Sequence, residues 1–534
     1  LDPEGKLTGW PQTDEAMAEF RGKLAGLHAE DKKTIWAPGS MWKLNPRDDD
    51  WREHLVTWTC DLYVDRWNCD TAYQDVLGCG HAGRSFDLRR GDHGHIYGGA
   101  NMEIARLLTE EGVKRDPAFA LSAEGKSELV TRWAMGMTSN RHYGWIYLDT
   151  HRFTHPDHIL VLGASNGGYR QMLYNTELAY LYGAKVDLAT WADYIQTRPI
   201  MKLREAIVPY VARATYRDTV GIEVRGDDVL ARRFERTDGG ADVITVLVVN
   251  RSGTKDGQLD VDVSRFDGEP YRAFMLSSSG ETEAVKPVKT AGALTTWAAP
   301  ASRASALLLV RKPTKGEETI ARVMAQHHDG VAKCRVALVH LDGTPRKMNL
   351  KLVADGLNAK TRRTQALVAM DDEWTGTGLD GDPEGWYRLY DGDTLLAEDY
   401  LEPVMDDPSF ERTGAPLADA PNGERAIVLN PGKGHNATHR RLNLTPGGRY
   451  TFRLKGRRTG TKGQTQCIIF LHPIEGGPKH KYLHFPKEPM GEWVQMETTF
   501  DVPKDLSGAS IYFYNNNSEE TVHYDDMRIT AEKR

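Results

Sequence analysis

The sequence lacks the features that would place it in a membrane or on a nucleic acid. A membrane-spanning helix needs about 20 consecutive apolar residues, and none of the apolar runs in these 534 residues approaches that length. Lysine and arginine number 68 against 75 aspartates and glutamates, and both signs are scattered along the chain. No basic stripe is therefore available to neutralise phosphates. We expect a soluble protein with neither a membrane nor a nucleic acid as its partner.

Cysteine is also scarce. The five cysteines are Cys60, Cys69, Cys79, Cys334 and Cys467. None of them forms a Cys-x-x-Cys pair, which argues against a zinc knuckle and favours buried free thiols. A chain of this length exceeds one hydrophobic core, and at about 100 to 200 residues per domain it should hold three or four domains.

The segment 11–212 alternates between amphipathic helices and short apolar strands. Apolar residues recur at helical spacing in two early segments, which contain Met17, Phe20, Leu24 and Leu27, and then Trp51, Leu55, Trp58 and Leu62. Later helices are predicted around 104–108, 169–182 and 201–211. The predicted strands are Thr34–Ala37, Thr71–Asp75, Ala118–Glu124, Trp145–Asp149 and His158–Gly163.

Strands that recur between helices are typical of βα units around a parallel sheet. We therefore predict that residues 1–218 form the C-terminal portion of a (β/α)8 barrel, which is the catalytic domain. About five or six units are visible where a complete barrel has eight. A preceding segment or chain is expected to supply the missing first strands.

After residue 218 the pattern changes to strands with turn signals, as in Val243–Asn250 and Ala304–Val310. Short strands without intervening helices predict β-sandwiches. We divide this part into a sandwich over 219–313, an immunoglobulin-like sandwich over 314–404 and a jelly roll over 405–534. The predicted fold class is a multidomain α/β plus all-β protein, with a partial TIM barrel followed by three β-sandwich domains.

Acidic residues close three of the predicted barrel strands, at Asp75, Glu124 and Asp149. The catalytic groups of a barrel gather at the carboxyl ends of its strands, and a retaining glycosidase needs two carboxyl groups about 5 Å apart. Asp75 and Glu124 are the candidate catalytic pair, and Asp149 is a candidate substrate-binding carboxylate. Acidic residues also cap helices and begin turns, and a wider separation would indicate an inverting enzyme.

A polar loop with several glycines lies between the two candidate carboxylates and contains Arg84, Asp92, His93 and His95. We predict that these side chains bind sugar hydroxyls, because such a site needs several converging donors and acceptors. The spacing of Asp92, His93 and His95 also permits a metal ion. A loop held by its own hydrogen bonds is the third interpretation.

Aromatic residues near the predicted strand ends are candidates to stack on pyranose rings. Trp42, Trp67 and Tyr73 are the main ones, although aromatic residues in helices and strands usually belong to the core. His151 and Arg152 follow the fourth predicted strand and are expected either to reach the same binding region or to lie in a surface loop.

These segments resemble a known group of proteins. The strand ending in Tyr73-Gln-Asp75, the loop Asp92-His-Gly-His and the segment Phe119–Glu124 resemble the glycosidase-like TIM-barrel proteins of polysaccharide-degrading bacteria. That group shares its plan with the α-retaining glycosidases, including the endo-α-N-acetylgalactosaminidases and the α-amylase superfamily. The resemblance covers about residues 11–215 and implies a nucleophile at Asp75 and an acid/base at Glu124.

The C-terminal segment resembles jelly-roll carbohydrate-binding modules of families 4 and 9. The resemblance is carried by Asp407–Glu411, Pro446–Phe452, Glu492–Phe500 and Val522–Asp526. It implies glycan binding, with Tyr512, Tyr514 and Trp493 as stacking candidates, of which Trp493 fits the core better. It also implies a structural calcium held by Glu411 and by Asp525 or Asp526, since carboxylate oxygens suit that ion. An accessory sandwich that packs on the barrel is the alternative.

These observations predict a secreted or periplasmic glycoside hydrolase that acts on a polysaccharide or oligosaccharide by retaining double displacement. No cofactor is expected for catalysis. The alternative is a non-catalytic glycan-binding or scaffold protein that uses the barrel and the jelly roll as binding platforms.

Overall fold

The computed structural model describes most of the chain in two compact units, Leu1–Gly163 and Ala164–Arg534. No helix among the described residues is long and apolar enough to cross a membrane. The described residues are 27–28, 34–35, 49–74, 77, 97–124, 128–139, 146–156, 158–163, 168–187, 194–212, 214–252, 255–313, 316, 318–328, 331–343, 348–356, 362–366, 375–376, 385–401, 414–421, 423–431, 437–460, 464–474, 476–486, 490–516 and 518–532.

The first unit alternates between helices and strands. Its described helices are α1 (Asp49–Cys60), which continues into a π-helical segment (Asp61–Arg66), α2 (Tyr97–Arg115), α3 (Glu128–Thr131) and α4 (Ile146–Thr154). Its described strands are β1 (Leu27–His28), β2 (Thr34–Ile35), β3 (Thr71–Gln74), β4 (Ala120–Glu124), β5 (Ala134–Ser139) and β6 (Ile159–Gly163).

Strands β3, β4, β5 and β6 form a parallel sheet in chain order. Because parallel neighbours need a crossover connection, the helices between these strands confirm the predicted βα units. Leu121 and Ala123 of β4 are fully buried, whereas the alternate residues Ala120, Ser122 and Glu124 are half-buried. One face of β4 is therefore covered, and α2 contacts this strand. The closed barrel stays a prediction.

Two strand predictions of this unit need correction, one in its pairing and the other in its type. The predicted strand Thr34–Ala37 is confirmed at Thr34–Ile35. Thr34 and Ile35 pair antiparallel with Leu27 and His28 instead of joining the parallel sheet, so Leu27 also lies in a strand and not on a helical face. Met17, Phe20 and Leu24 lie outside the described residues.

The predicted strand Trp145–Asp149 is wrong, because the structure has helix α4 from Ile146 to Thr154. Its buried residues are Leu148, His151 and Arg152, which stand at i, i+3 and i+4. This spacing buries one helical face. The sequence shows it only when residues beyond Asp149 are read together with Leu148.

The second unit begins with α5 (Gly168–Leu181), the short strand β7 (Lys185–Asp187) and α6 (Tyr194–Val211). Helix α5 ends at a glycine in the left-handed region, Gly183, with φ of 65°. There the N–H of Ala184 donates to the carbonyl of Ala179 at 2.7 Å, which is the long bond of a Schellman cap. The predicted helices over 169–182 and 201–211 are confirmed.

Three pairs of antiparallel sheets make up the rest of the second unit. In the first pair the sheet orders are β14-β13-β17-β11-β10-β8 and β15-β16-β12-β9. A buried core that includes Val246, Leu259 and Trp297 lies between them. Its strands are β8 (Thr215–Asp218), β9 (Ile222–Arg225), β10 (Val229–Arg236), β11 (Asp242–Asn250), β12 (Gly257–Asp262), β13 (Arg272–Ser277), β14 (Thr282–Ala284), β15 (Lys289–Ala291), β16 (Leu294–Ala299) and β17 (Ala304–Lys312).

The second pair has the orders β18-β19-β22 and β21-β20-β23-β24. Val336, Leu352 and Tyr387 belong to the core between these sheets. Its strands are β18 (Thr319–His328), β19 (Val331–His340), β20 (Leu350–Gly356), β21 (Arg362–Ala366), β22 (Thr375–Gly376), β23 (Gly385–Asp391) and β24 (Thr394–Leu401).

The third pair has the orders β25-β26-β33-β28-β31 and β27-β32-β29-β30. Phe452, Ile469 and Phe513 belong to its core. Its strands are β25 (Ala415–Pro416), β26 (Arg425–Leu429), β27 (Ala437–Arg441), β28 (Arg449–Arg458), β29 (Gln464–Pro473), β30 (Lys479–His484), β31 (Val494–Asp501), β32 (Leu506–Asn516) and β33 (Val522–Ala531).

Each core lies between two sheets, so the predicted β-sandwich pattern after residue 218 is confirmed. The compact units divide after Gly163, whereas the predicted barrel domain extends to 218. The reason is that α5 and α6 pack on the first sandwich, where α6 contacts β10, β11 and β17. Cys60, Cys334 and Cys467 are buried free thiols, as predicted.

Candidate functional site

The C-terminal sandwich presents one face of the sheet β27-β32-β29-β30 away from its core. Cys467, Ile469, Ile511 and Phe513 point into the core. Because side chains alternate along a strand, Phe470 and Tyr512 lie on the opposite face. His439 and His480 share that face, since they stand directly opposite Tyr512 and Phe470 in the strand register.

A row of four rings crosses all four strands on this face. The centroids of His439 and Tyr512 are 5.0 Å apart, those of Tyr512 and Phe470 are 4.9 Å apart, and those of Phe470 and His480 are 4.7 Å apart. His439 stacks on Tyr512, and the other two contacts are edge to face. These spacings are the favourable arrangements of aromatic pairs, so neighbouring rings hold each side chain in place.

Four further rings extend the row along the strands. Tyr514 stacks on Tyr512 at 5.8 Å, and His472 lies 6.2 Å from Phe470. Tyr482 is nearly parallel to both His480 and His484, at 6.1 and 5.8 Å. We call this surface the aromatic face, and its members are His439, Phe470, His472, His480, Tyr482, His484, Tyr512 and Tyr514.

The outer strands of this sheet carry the exposed part of the aromatic face. His439, His480 and His484 are exposed, and Tyr482 is 48% exposed. On the central strands Tyr512 and Phe470 are half-buried, and Tyr514 is buried. Helices α5 and α6 also contact β32. The solvent-accessible parts of the aromatic face therefore lie at the two edges of the sheet, on β27 and on β30.

Burial sets the ionisation of two of these side chains. It raises the pKa of Tyr514, and the nearby Tyr512 and Tyr482 add to that effect. It lowers the pKa of His472, and the neighbouring His480 lowers it further. Both groups are therefore neutral at neutral pH, when they can donate and accept hydrogen bonds to hydroxyl groups.

The predicted stacking residues fall in two places. Tyr512 and Tyr514 belong to the aromatic face. Trp493 does not, because its Nε1 donates to the carbonyl of Asp419 at 3.1 Å and its ring lies beside Arg457 and His523. It is half-buried and lies outside the core, although the sequence favoured a core position.

Glu124 is the last residue of β4 and lies at the carboxyl end of the parallel sheet. The register places Tyr73 opposite Ser122 and Gln74 opposite Ala123. Tyr73, which is 41% exposed, therefore lies on the same open face of the sheet as Glu124. Asp75 lies outside the described residues, directly after the end of β3.

Asp149 lies in the first turn of α4, the helix that follows β5. Asp149 therefore does not end a strand, and its contact with a substrate stays a prediction. The other predicted substrate-binding residues that lie outside the described part of the chain are Trp42, Arg84, Asp92, His93 and His95.

Trp67, His151 and Arg152 lie at the opposite end of the sheet, which contradicts their predicted position. Trp67 directly follows the π-helical segment and precedes the start of β3. His151 Nε2 lies 3.2 Å from His158 Nδ1, and Arg152 donates to the carbonyl of His158 at 2.9 Å. His158 precedes β6 directly. A helix returns the chain to the amino ends of parallel strands, so its last turn lies far from the carboxyl ends.

The predicted calcium ligands have different surroundings. Asp525 is fully buried. Asp526 lies at a β-bulge with φ of 46° and pairs with Lys455 at 3.0 Å and Arg528 at 3.2 Å. A calcium ion would have to displace these two cations, so Asp526 does not fit the predicted role. Glu411 lies outside the described residues, and the described residues contain no cluster of three metal-binding side chains.

Of the aromatic face, only Tyr512 and Tyr514 were predicted to bind a glycan. Its signal was an alternation of rings, as in His480, Tyr482 and His484 of β30. Residues at i, i+2 and i+4 of a strand share one face, so this segment alone predicts a strip of three rings.

No protein-family model matches this chain, and no curated protein sequence matches it. Similar solved structures include a family 16 carbohydrate-binding module, with 15% identity over 24% of this chain and 99% of that chain, at a TM-score of 0.21. The maltogenic α-amylase AmyB from Thermotoga neapolitana has 9% identity over 54% of this chain and 72% of that chain, at a TM-score of 0.37. The isomalto-dextranase from Arthrobacter globiformis T6 has 11% identity over 96% of this chain and 76% of that chain, at a TM-score of 0.32. These TM-scores are low, so the fold described above rests on the strand pairing and the cores alone.

Proposed function

We propose that this chain is a carbohydrate-active protein whose C-terminal sandwich binds a glycan chain on the aromatic face. The observation that carries the proposal is the row formed by His439, Tyr512, Phe470 and His480. Sugar rings have an apolar face of C–H groups that packs on aromatic rings, and their hydroxyl groups need hydrogen-bond partners nearby. The aromatic face offers both.

Preorganisation supports this function. The two central rings, Tyr512 and Phe470, each lie between neighbours at 4.7 to 5.0 Å, so little of their side-chain freedom remains to be lost when a ligand binds.

We further propose that glycoside hydrolysis occurs at the carboxyl end of the parallel sheet. Glu124 would protonate the leaving oxygen while Asp75 attacks the anomeric carbon, as in a retaining double displacement. The support is the position of Glu124 at a strand end and on the same open face as Tyr73. The proposal includes a partial TIM barrel in the first part of the chain, secretion or a periplasmic location, and a structural calcium on Asp525 and Glu411.

Affinity electrophoresis of the full chain in gels that contain soluble polysaccharides tests the binding function. Retardation by at least one glycan is expected, and Tyr512→Ala should reduce it. Trp386→Ala is a matched control, because Trp386 is a 39% exposed aromatic residue of the second sandwich, on β23. Equal retardation of the wild type and Tyr512→Ala would overturn the proposal.

A further inference from the structure

The charges around the aromatic face are unevenly distributed. Its four imidazoles are His439, His472, His480 and His484. Arg441 shares the face, since it stands opposite Ser510 in the register with β32. Among the described residues of β27, β29, β30 and β32, none that points to this side is acidic. Strands that gain positive charge on protonation, and whose described residues on this side include no carboxylate, complement an anion.

We infer that the aromatic face selects an anionic glycan, one that carries carboxylate or sulfate groups, and holds it more tightly as the pH falls through the titration range of imidazole. This inference rests on the proposed function, because it names the chemical class of the ligand at the same surface.

The imidazoles divide into two roles. His480 and His484 are exposed and flank the exposed ring of Tyr482 on both sides. When protonated, these two imidazoles can pair with an anionic group while Tyr482 contacts the sugar ring. His472 is half-buried, and burial holds its pKa below the usual value. It therefore contributes hydrogen bonds and not charge over most of this pH range.

Helices α5 and α6 contact β32, but their described acidic residues are already paired with other cations and do not neutralise the aromatic face. Glu177 of α5 pairs with Arg251 at 2.7 Å and with Arg303 at 2.9 Å. On α6, Arg198 and Lys202 pair with Asp399, Glu205 pairs with Lys202, and Arg204 donates to the carbonyl of Ala184.

Dextran and dextran sulfate form a matched pair of probes, since they share a backbone and differ in charge. The sulfate groups stay ionised throughout, so a pH dependence reports the protein. We expect the full chain to bind dextran sulfate about tenfold more tightly at about pH 5.5 than at about pH 8, since each of two surface ion pairs contributes up to about fivefold. Polygalacturonate replaces sulfate by carboxylate and shows which anion is preferred. Added salt should weaken binding to either anionic polymer.

The double variant His480→Phe, His484→Phe keeps both rings beside Tyr482 and removes two of the exposed imidazoles, whereas His439 and Arg441 remain. It should weaken the pH dependence and the preference for the charged polymer. His340→Phe is the matched control, on β19 of the second sandwich, and should behave as the wild type does. A circular dichroism spectrum confirms that each variant is folded.

The outcomes separate this inference from the function on which it rests. Equal binding of dextran and dextran sulfate, or a pH dependence that the double variant leaves undiminished, would overturn the anionic specificity and leave glycan binding intact. Failure to bind any of the three polymers or any other glycan would overturn the proposed function itself.

Discussion

The imidazole of His439 stacks on the ring of Tyr512 at 5.0 Å with 18° between the planes, across two neighbouring strands. The two residues stand directly opposite each other in the antiparallel register of β27 and β32. Cross-strand pairs of this kind stabilise a sheet by about 0.2–1 kcal/mol. Here the pair also begins a row of rings on the side of the sheet that faces away from the core.

Tyr482 should contribute to glycan affinity through its ring and not through its hydroxyl group. Tyr482→Ala is expected to weaken binding by about tenfold, because aromatic contacts contribute about 0.5–1.5 kcal/mol beyond the buried area. Tyr482→Phe keeps the ring between His480 and His484 and should retain most of the affinity. Isothermal titration with the glycan that retards the chain measures both values, and equal losses in the two variants would contradict this role.

Glu124→Gln should abolish hydrolysis of glycans that have a poor leaving group, because the amide cannot protonate the departing oxygen. The same variant should still release an activated aryl leaving group in a first burst, since that step needs little acid assistance. Reducing-sugar and chromogenic assays measure the two reactions. Glu110→Gln is the control, because Glu110 lies on α2 and pairs with Arg106. Full activity of Glu124→Gln on natural glycans would contradict the assignment.

Glu281 should make the stability of the second unit depend on pH in the acid range. Burial alone would raise its pKa, but hydrogen bonds from Ser277, Ser279 and Arg335 outweigh burial and lower the pKa from 4.5 to about 2. The folded state therefore binds this proton more weakly than the unfolded state does. The stabilisation is complete above pH 4.5 and is lost as the pH falls towards about 2.

Thermal unfolding of Glu281→Gln across this range checks the prediction. The wild type should be more stable than the variant near neutral pH, and the difference should shrink as the pH falls below about 4.5. A constant difference between the two melting temperatures at every pH would contradict it.

Asp399 should contribute strongly to the stability of the second sandwich. It is fully buried, accepts a hydrogen bond from the Ala325 N–H at 2.8 Å and pairs with Arg198 and Lys202 of α6. Asp399→Ala removes the buried carboxylate that these two cations share and should destabilise the region by about 3–5 kcal/mol.

Hydrogen exchange of the β18 and β24 amides measures this local loss. Asp393→Ala is the control, because Asp393 is fully exposed and lies 3.4 Å from Lys351. Such a surface pair contributes at most about 1 kcal/mol. Unchanged exchange in Asp399→Ala would contradict the predicted role.

The strand alternation after residue 218 could be predicted from the sequence, as Val243–Asn250 shows, because period-two patterning depends on neighbouring residues alone. Strand β5 could not, since Ala134-Met-Gly-Met137 lacks the β-branched residues that favour strands. The segment Trp145–Asp149 has strand-forming residues, yet Leu148, His151 and Arg152 bury one face of a helix. A window of five residues does not contain that pattern.

The candidate site shows the same limit of local patterns. Tyr512 and Tyr514 could be chosen from their own strand. His439, Phe470 and His480 come from three other strands, and only the pairing of β27 and β29 with β32, and of β30 with β29, brings them together. Sequence distance between these residues carries no information about such pairing, because register depends on the tertiary fold.

The most direct test of glycan binding by the aromatic face compares the full chain with the double variant Phe470→Ala, Tyr512→Ala on a panel of neutral and acidic polysaccharides. These substitutions remove the two central rings of the row and leave the core residues Ile469 and Phe513 in place. We predict that the wild type binds at least one polysaccharide and that the folded double variant binds none of them measurably. Undiminished binding by the double variant would contradict the account.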